Sequence, residues 1–192
     1  MTKLLAFSGS LRKQSYNQSI VIAAAEGARK AGAEVTVVHL NDYLAPMFNE
    51  DDEAANGMPK TARALKELML AADGFLIATT EYNSGYSAAL KNAIDWASRK
   101  EEGESPLQAF KGKTATLMAA SPGGLGGIRA LVPLRMLLGN IGMYVHPTQQ
   151  AIGGVSNLIN EQGEVSDEAT LKKLHSLGEQ AVTFTQALAA TK

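Results

Sequence analysis

Three short polar segments of the sequence carry the residue types that could bind a phosphorylated, planar ligand. The first loop, residues 9–17, contains Ser10, Arg12, Ser15 and Asn17 directly before a predicted helix. A helix start presents free N–H groups and a partial positive charge, and an arginine guanidinium can hold two phosphate oxygens. The first loop therefore suits a phosphate monoester, and a serine-capped helix beside a solvated arginine explains it equally well when it is taken alone.

Two later loops suit a flat ring. The second loop, residues 79–87, has the sequence TTEYNSGYS, in which Tyr82 could pack against a ring whose polar edge meets backbone amides. A turn with two surface tyrosines is the simpler interpretation of this loop alone. The third loop, residues 121–127, has four glycines in five positions, which would let the backbone approach a flat ligand. A flexible connection is less favoured here, because ordering glycine costs conformational entropy.

Other phosphate-binding motifs are absent from the sequence. A P-loop needs a second glycine followed by Lys and Ser or Thr, and the first loop has neither feature. A dinucleotide fingerprint needs G-x-G-x-x-G, but Gly124 and Gly126 are followed by Arg129 at the last glycine position. The three histidines show no spacing typical of a metal site, so none is predicted.

Short apolar runs alternate with helical patterns along the whole chain, which predicts an α/β fold with a parallel sheet covered on both faces. We predict one domain over residues 1–192, with an irregular stretch at 41–59 and ligands bound at the carboxyl ends of the strands. The predicted strands are residues 4–8, 34–40, 74–79, 113–120 and 143–146, and the predicted helices are residues 15–31, 61–72, 87–98, 129–140 and 166–190.

Composition excludes several classes of protein. The chain of 192 residues has no cysteine, which rules out disulfide scaffolds, thiolate zinc sites and cysteine nucleophiles. A net charge of −1 argues against nucleic-acid binding. The apolar run after Met1 is too short for a signal peptide, and no run is long enough to span a bilayer, so we expect no membrane partner and a cytoplasmic location.

Other segments have simpler predicted roles. The acidic run at residues 50–53 is predicted to be a solvated loop, and the alternative is that it reaches a neighbouring subunit's ligand. Lys91 and Asp95 lie four apart on one predicted helix, which favours a surface ion pair, and Trp96 belongs to the core or an interface. The helix at 129–140 is apolar almost all round, which indicates burial on two sides and predicts a dimer interface.

Taken together, these motifs resemble those of the NAD(P)H-dependent FMN reductase family, which includes chromate, quinone and azo-dye reductases. The resemblance covers residues 3–145 in the same order and spacing. The matching segments are GSLR at 9–12 with Ser15 and Asn17, EYNS at 81–84, LKNAIDW at 90–96, and SPGG at 121–124 with Gly127 and Arg129.

The resemblance implies a flavodoxin-like three-layer sandwich with a five-stranded parallel sheet in the order 2-1-3-4-5. It also implies one FMN per subunit, NADPH or NADH as co-substrate, and a homodimer or homotetramer. The implied contacts of the FMN phosphate are Ser10, Arg12, Ser15, Tyr16 and Asn17, and those of the ring are Glu81, Tyr82, Asn83, Ser84, Ser121, Gly123 and Gly124. Thr80 and the turn at residues 85–88 depart from the family pattern, which leaves substrate preference open.

The implied activity is hydride transfer from NAD(P)H to bound flavin and then to a small-molecule acceptor, with ping-pong kinetics and no catalytic side chain. The acceptor would be free flavin, a quinone, an azo compound or a metal oxyanion. The alternative is a non-enzymatic electron carrier of the flavodoxin type. Arg12 and the near-neutral charge argue against such a carrier.

Overall fold

A parallel sheet forms the middle layer of the computed structural model, which describes residues 1–191. A separate antiparallel hairpin, β4 and β5, lies outside that sheet. The eight strands within the described residues are β1 Lys3–Ser8, β2 Glu34–His39, β3 Gly74–Thr79, β4 Glu81–Tyr82, β5 Gly85–Tyr86, β6 Thr114–Ala120, β7 Tyr144–Val145 and β8 Gln150–Ile152.

Helices cover the sheet, and each predicted helix is confirmed to within a few residues. The part of the chain that the structure describes has six α-helices, α1 Tyr16–Lys30, α2 Glu50–Asn56, α3 Lys60–Ala71, α4 Ala88–Ser98, α5 Ile128–Asn140 and α6 Glu168–Ala189, with short 3₁₀ turns at Leu40–Tyr43 and Val155–Asn157. Within residues 1–191, no helix combines the length and apolar character that crossing a bilayer requires.

The sheet order is β2-β1-β3-β6-β7, and every pair in this series is parallel, which confirms the predicted order. Side chains alternate between the two faces of each strand, and the two cores reflect this. In β1, Leu5 and Phe7 join the core that also contains Leu134 of α5. Leu4 and Ala6 join the opposite core, which lies beneath α1 and α6. Both faces of the sheet are therefore buried.

The fifth position of the sheet is shared by two short strands. β7 pairs with the start of β6, and β8 pairs with its end. The strand predicted at residues 143–146 is thus shorter, because Pro147 follows it and has no N–H for a ladder bond. The guanidinium of Arg135 lies at this break and donates to the carbonyl oxygens of Val145 at 3.3 Å and His146 at 2.7 Å.

The stretch predicted to be irregular contains α2, so the prediction of a solvated acidic loop is wrong. Asn49 caps this helix by accepting from the backbone N–H of Asp51 at 3.0 Å, and its first turn is entirely acidic, which suits the positive helix start. Glu53 pairs with Arg99 at 2.7 Å, and this hydrogen bond raises the pKa of Arg99. No residue of α2 is buried, so hydrophobic periodicity could not reveal it.

Side chains of α4 hold the segment at 45–48 against the body of the protein. Asn92 accepts from the N–H of Phe48 at 2.8 Å and donates to the carbonyl of Pro46 at 3.0 Å. The indole N–H of Trp96 donates to the same carbonyl at 2.8 Å, and its side chain is buried. The predicted ion pair of Lys91 and Asp95 is confirmed at 2.6 Å. The LKNAIDW segment therefore holds residues 45–48 in place through Asn92 and Trp96.

Two glycines allow α1 and α6 to cross in close contact. A β-carbon added at Gly178 would overlap the carbonyl oxygen of Ala24, and one added at Gly27 would overlap the backbone of His175. The atoms in the way belong to helical backbone, which cannot rotate aside. The small residues thus set the distance between these two helices.

Gly178→Ala should lower the free energy of unfolding by about 2–3 kcal/mol, because the added methyl overfills a close helix contact. Gly139→Ala is the matched control, since Gly139 also lies in a helix but has nothing near its missing β-carbon. That change should stabilise the protein by about 0.5–1 kcal/mol. Urea denaturation of the two variants measures both effects, and equal midpoints would contradict this account of the helix crossing.

Candidate functional site

The three loops singled out from the sequence lie side by side at one edge of the sheet. The first loop follows β1, the second follows β3 and the third follows β6, and these strands are direct neighbours. The chain leaves β1 toward β2 on one side, whereas β3 lies on the other side, so a topological switch point falls at β1. Crevices at such points are the usual ligand sites of open parallel sheets.

The first loop presents backbone donors that the chain itself does not use. None of the five N–H groups of residues 13–17 has an acceptor within residues 1–191. The first turn of α1 contains no acidic residue, unlike that of α2. Arg12 is exposed and lies 5.6 Å from the centre of the Tyr16 ring, and no carboxylate of the described residues pairs with it. The arrangement is suited to an anion.

The predicted serine ligands are placed in this loop with defined local roles. Ser15 caps α1, and its Oγ accepts from the N–H of Gln18 at 3.2 Å. The Oγ of Ser10 accepts from the N–H of Arg12 at 3.3 Å. Both hydroxyls thus act as acceptors toward the chain, and each keeps its own hydrogen for a further acceptor such as a phosphate oxygen.

Asn17 was predicted to be a phosphate ligand, and its buried side chain instead faces the other loops. Its Oδ1 accepts from the N–H of Ala120 at 2.8 Å, and its Nδ2 donates to the carbonyl of Ala120 at 3.0 Å. The same Nδ2 lies 3.5 Å from the hydroxyl of Thr80. Only the backbone N–H of Asn17 is left to bind a ligand. Sequence reasoning missed this role, because the partner is 103 residues away.

A second contact fixes the start of the first loop. Ser87 caps α4 and donates its hydroxyl to the carbonyl of Gly9 at 2.6 Å. A β-carbon at Gly9 would lie 2.8 Å from that hydroxyl oxygen and 2.9 Å from the β-carbon of Leu90. The absence of a side chain at Gly9 therefore allows the first loop to lie directly on the start of α4.

The second loop is a tight hairpin formed by β4 and β5. Asn83 and Ser84 at its tip both have positive φ angles, 49° and 70°, as a two-residue hairpin turn of this hand requires. Asparagine tolerates this conformation better than most residues, and serine pays a larger steric penalty. Tyr82 precedes the tip and is 55% exposed. The hairpin thus presents Tyr82, Asn83 and Ser84 together at the surface.

Glu81 joins the second loop to the start of α5. Its Oε1 lies 3.2 Å from Nε of Arg129, whereas its Oε2 is buried and has no hydrogen-bond partner in the described part of the chain. An unpaired buried acceptor is uncommon, and it marks a place where a missing donor would fit. Arg129 belongs to the motif formed by SPGG at 121–124 and Gly127. The sequence does not predict its pairing with Glu81, because 48 positions separate the two residues.

Glycines in the third loop fall into two groups. Gly126 and Gly127 have φ angles of 61° and 84°, and a β-carbon on Gly126 would lie 2.6 Å from the backbone at Ile152. These two residues are needed for folding. Gly123 and Gly124 are exposed, and a β-carbon added at either position would have no close contact. Ser121 donates its hydroxyl to the carbonyl of Gly123 at 3.3 Å. The exposed half of the loop is available to a ligand.

All twelve predicted site residues therefore lie on three neighbouring loops. The first loop offers a cation and five free N–H groups, and the other two offer exposed backbone and one exposed aromatic ring. This set of groups fits a phosphorylated cofactor with a planar ring. The described residues at the site provide no buried histidine or lysine that would act as a general base.

Comparison with known proteins gives concordant results. The family model of NADPH-dependent FMN reductases matches residues 2–157. An NAD(P)H-dependent FMN reductase from Pseudomonas aeruginosa is 38% identical over 169 residues, which cover 86% of this chain and 85% of that protein. A quinone reductase from Escherichia coli is 35% identical over 174 residues, which cover 90% of this chain and 89% of its own length.

Solved structures show the same fold. The flavoenzyme NAD(P)H:(acceptor) oxidoreductase FerB from Paracoccus denitrificans superposes with a TM-score of 0.81 at 29% identity, covering 97% of this chain and 98% of that one. A flavodoxin from an archaeon superposes with a TM-score of 0.62 at only 10% identity, which supports the fold alone. Sequence, sheet order and loop placement thus agree that the chain belongs to the NADPH-dependent FMN reductase family and has a flavodoxin-like fold.

Proposed function

We propose that the protein is an NAD(P)H-dependent flavin oxidoreductase that holds FMN across the three loops and reduces a small planar acceptor. The observation that carries the proposal is the unused donor set of the first loop. Five consecutive N–H groups without acceptors within residues 1–191, a helix start free of acidic residues and Arg12 without a carboxylate partner among the same residues all belong to this one loop. Family membership supports FMN as the cofactor and NAD(P)H as the reductant.

The residues of the first loop would hold the phosphate of FMN. The N–H groups of residues 13–17, including those of Ser15, Tyr16 and Asn17, would donate to its oxygens. The hydroxyls of Ser10 and Ser15 would add neutral donors, and Arg12 would supply the opposing charge. The Asn17 side chain would act indirectly, by fixing the first loop against Ala120.

The other two loops would contact the isoalloxazine ring. Exposed backbone at Gly123 and Gly124, together with the hydroxyl of Ser121, would approach it from one side. The hairpin would bring Tyr82, Asn83 and Ser84 from the other, with Glu81 holding the hairpin to Arg129. Because these loop residues are exposed, they would leave one face of the ring open to a second flat molecule.

The chemistry that FMN supplies when bound is acceptance of a hydride from NAD(P)H and delivery of electrons to a second substrate. The polypeptide has the tasks of binding, orientation and exclusion of competing reactions. One open face would receive the nicotinamide and the acceptor in turn, which gives ping-pong kinetics. The names of several relatives favour quinones as acceptors, and free flavin shares the same flat shape.

We also propose that α5 contributes to a homodimer or homotetramer. Leu131, Leu134 and Leu138 face the core, whereas Val132 and Met136 on the opposite side are each 64% exposed. Ile128, Val132 and Met136 are spaced four residues apart and form one apolar stripe beside the third loop. A second subunit on this stripe would lie close to the ring site.

Arg12→Ala should weaken FMN binding by more than about tenfold, since a hydrogen bond to a charged group contributes about 1.5–3 kcal/mol. Lys13→Ala removes the same charge from the neighbouring position and should change the affinity by less than about threefold. Titration of the apoprotein with FMN, followed by flavin fluorescence, gives both dissociation constants. Equal losses in the two variants would reduce the role of Arg12 to general electrostatic attraction.

Anaerobic addition of NADPH to the FMN-loaded protein should bleach its yellow absorbance with no other protein present, and later addition of a quinone should restore it. Initial rates at varied quinone and NADPH concentrations should give parallel double-reciprocal lines, because the substrates use one face in turn. An electron carrier would keep its colour until a separate reductase was added. Intersecting lines would contradict ping-pong kinetics while leaving the activity intact.

Val132→Glu should shift the protein to a lower oligomeric state, because it places a charge in the centre of the apolar stripe. Ile22→Glu makes the same change on α1, where Ile22 is also partly exposed, and should leave the assembly unchanged. Size-exclusion chromatography with light scattering measures the mass of each. A wild-type protein that is already monomeric would contradict the proposed interface.

A further inference from the structure

A groove beside the first loop shares residues with the proposed phosphate site and extends away from the second and third loops. It lies between the start of α1 and the segment at 156–163, and its volume is about 210 Å³. Sites that hold a whole small molecule have volumes of about 300–1,000 Å³, so this groove is large enough for one part of such a ligand. Residues of the second and third loops do not line it. Its lining includes the side chains of Arg12, Gln14, Tyr16, Ser156 and Glu161.

The wall opposite α1 is a preformed hairpin. Ile159 and Val165 form an antiparallel bridge, and the N–H of Gly163 donates to the carbonyl of Asn160 at 3.0 Å. The Asn160 side chain also accepts from the N–H of Glu164 at 2.9 Å. Because these bonds close the turn from within, the wall keeps its shape without a ligand.

The α1 side of the groove combines a ring with an uncompensated charge. Tyr16 is half-buried, and the guanidinium of Arg12 lies over its ring. A guanidinium on an aromatic ring presents a flat cationic surface, on which a purine can stack and to which a phosphate can bind. Glu161 is exposed on the other wall and can accept hydrogen bonds from ribose hydroxyls.

The groove is continuous with the proposed phosphate site. Arg12, Gln14 and Tyr16 line the groove, and the same three residues carry the guanidinium and two of the N–H groups that have no acceptor within residues 1–191. A group attached to a phosphate held by the first loop would therefore enter the groove. The adenosine end of a second nucleotide bound beside the flavin would reach the same groove.

We propose that this groove is a subsite for an adenosine 5′-phosphate moiety. Purine, ribose and phosphate match its stacking surface, its carboxylate and its cation. Two ligands carry this moiety, FAD as an alternative flavin and NAD(P)H as the reductant. The inference rests on the proposed flavin function, because the first loop must hold the phosphate from which the groove extends.

Ser156→Trp tests the subsite by filling the groove from the wall that bears no flavin contact. Gln162→Trp is the matched control, since Gln162 is also exposed on the segment opposite α1 and does not line the groove. The affinities of the apoprotein for FMN and FAD are measured by isothermal titration, and KM for NADH and NADPH is measured on FMN-loaded protein. The FMN affinity of both variants should stay within twofold of wild type.

If the groove binds the adenosine moiety of FAD, Ser156→Trp should weaken the affinity for FAD at least tenfold relative to the affinity for FMN. If the groove binds the adenosine moiety of NAD(P)H, Ser156→Trp should raise KM for NAD(P)H at least tenfold. Unchanged values for both ligands, or equal changes in Gln162→Trp, would overturn the subsite. In parallel, adenosine should bind the FMN-loaded wild-type protein at millimolar concentration, because it leaves the phosphate donors of the first loop to FMN, and its failure to bind would overturn the subsite without any variant. A protein that bound no flavin at all would instead refute the proposed function.

Discussion

The architecture of the site depends on one buried amide. Asn17, in the first turn of α1, satisfies both the N–H and the carbonyl of Ala120 at the end of β6, and its amide also faces Thr80 after β3. A buried amide that lost these partners would cost about 1–3 kcal/mol, so the arrangement in which all are paired is strongly preferred. One side chain thereby joins the end of the first loop to the starts of the second and third loops. Ser87 adds a second connection, from α4 to Gly9.

Local sequence was sufficient to predict most of the framework. Buried strands such as β3 are continuous apolar runs, and α1 has a serine cap at one end and Gly32 beyond the other. The three loops could be placed at one edge because the carboxyl ends of parallel strands must meet there. Elements without a buried face, such as α2, left no periodic signal. The division of the fifth position into β7 and β8 depends on pairing with β6, which no local pattern encodes.

The site was predicted at the level of loops and less well at the level of atoms. Polar residue types identified the first loop correctly as a place rich in donors. Which atoms remain free could not be read from the sequence, because long-range partners decide it. Asn17 is engaged with Ala120, and Glu81 is directed at Arg129. The glycines of the third loop show the same division, since Gly126 is required by its neighbours and Gly124 is not.

The interrupted outer edge of the sheet has a consequence for solubility. An edge strand normally offers a row of unpaired N–H and C=O groups to which another chain can add. Here that row is only two or three residues long before it breaks, and Arg135 already occupies the carbonyl oxygens at the break. Pro147 removes one more donor from the same stretch. The margin of the sheet is thereby protected against edge-to-edge aggregation, by a bend in the chain and a single cation.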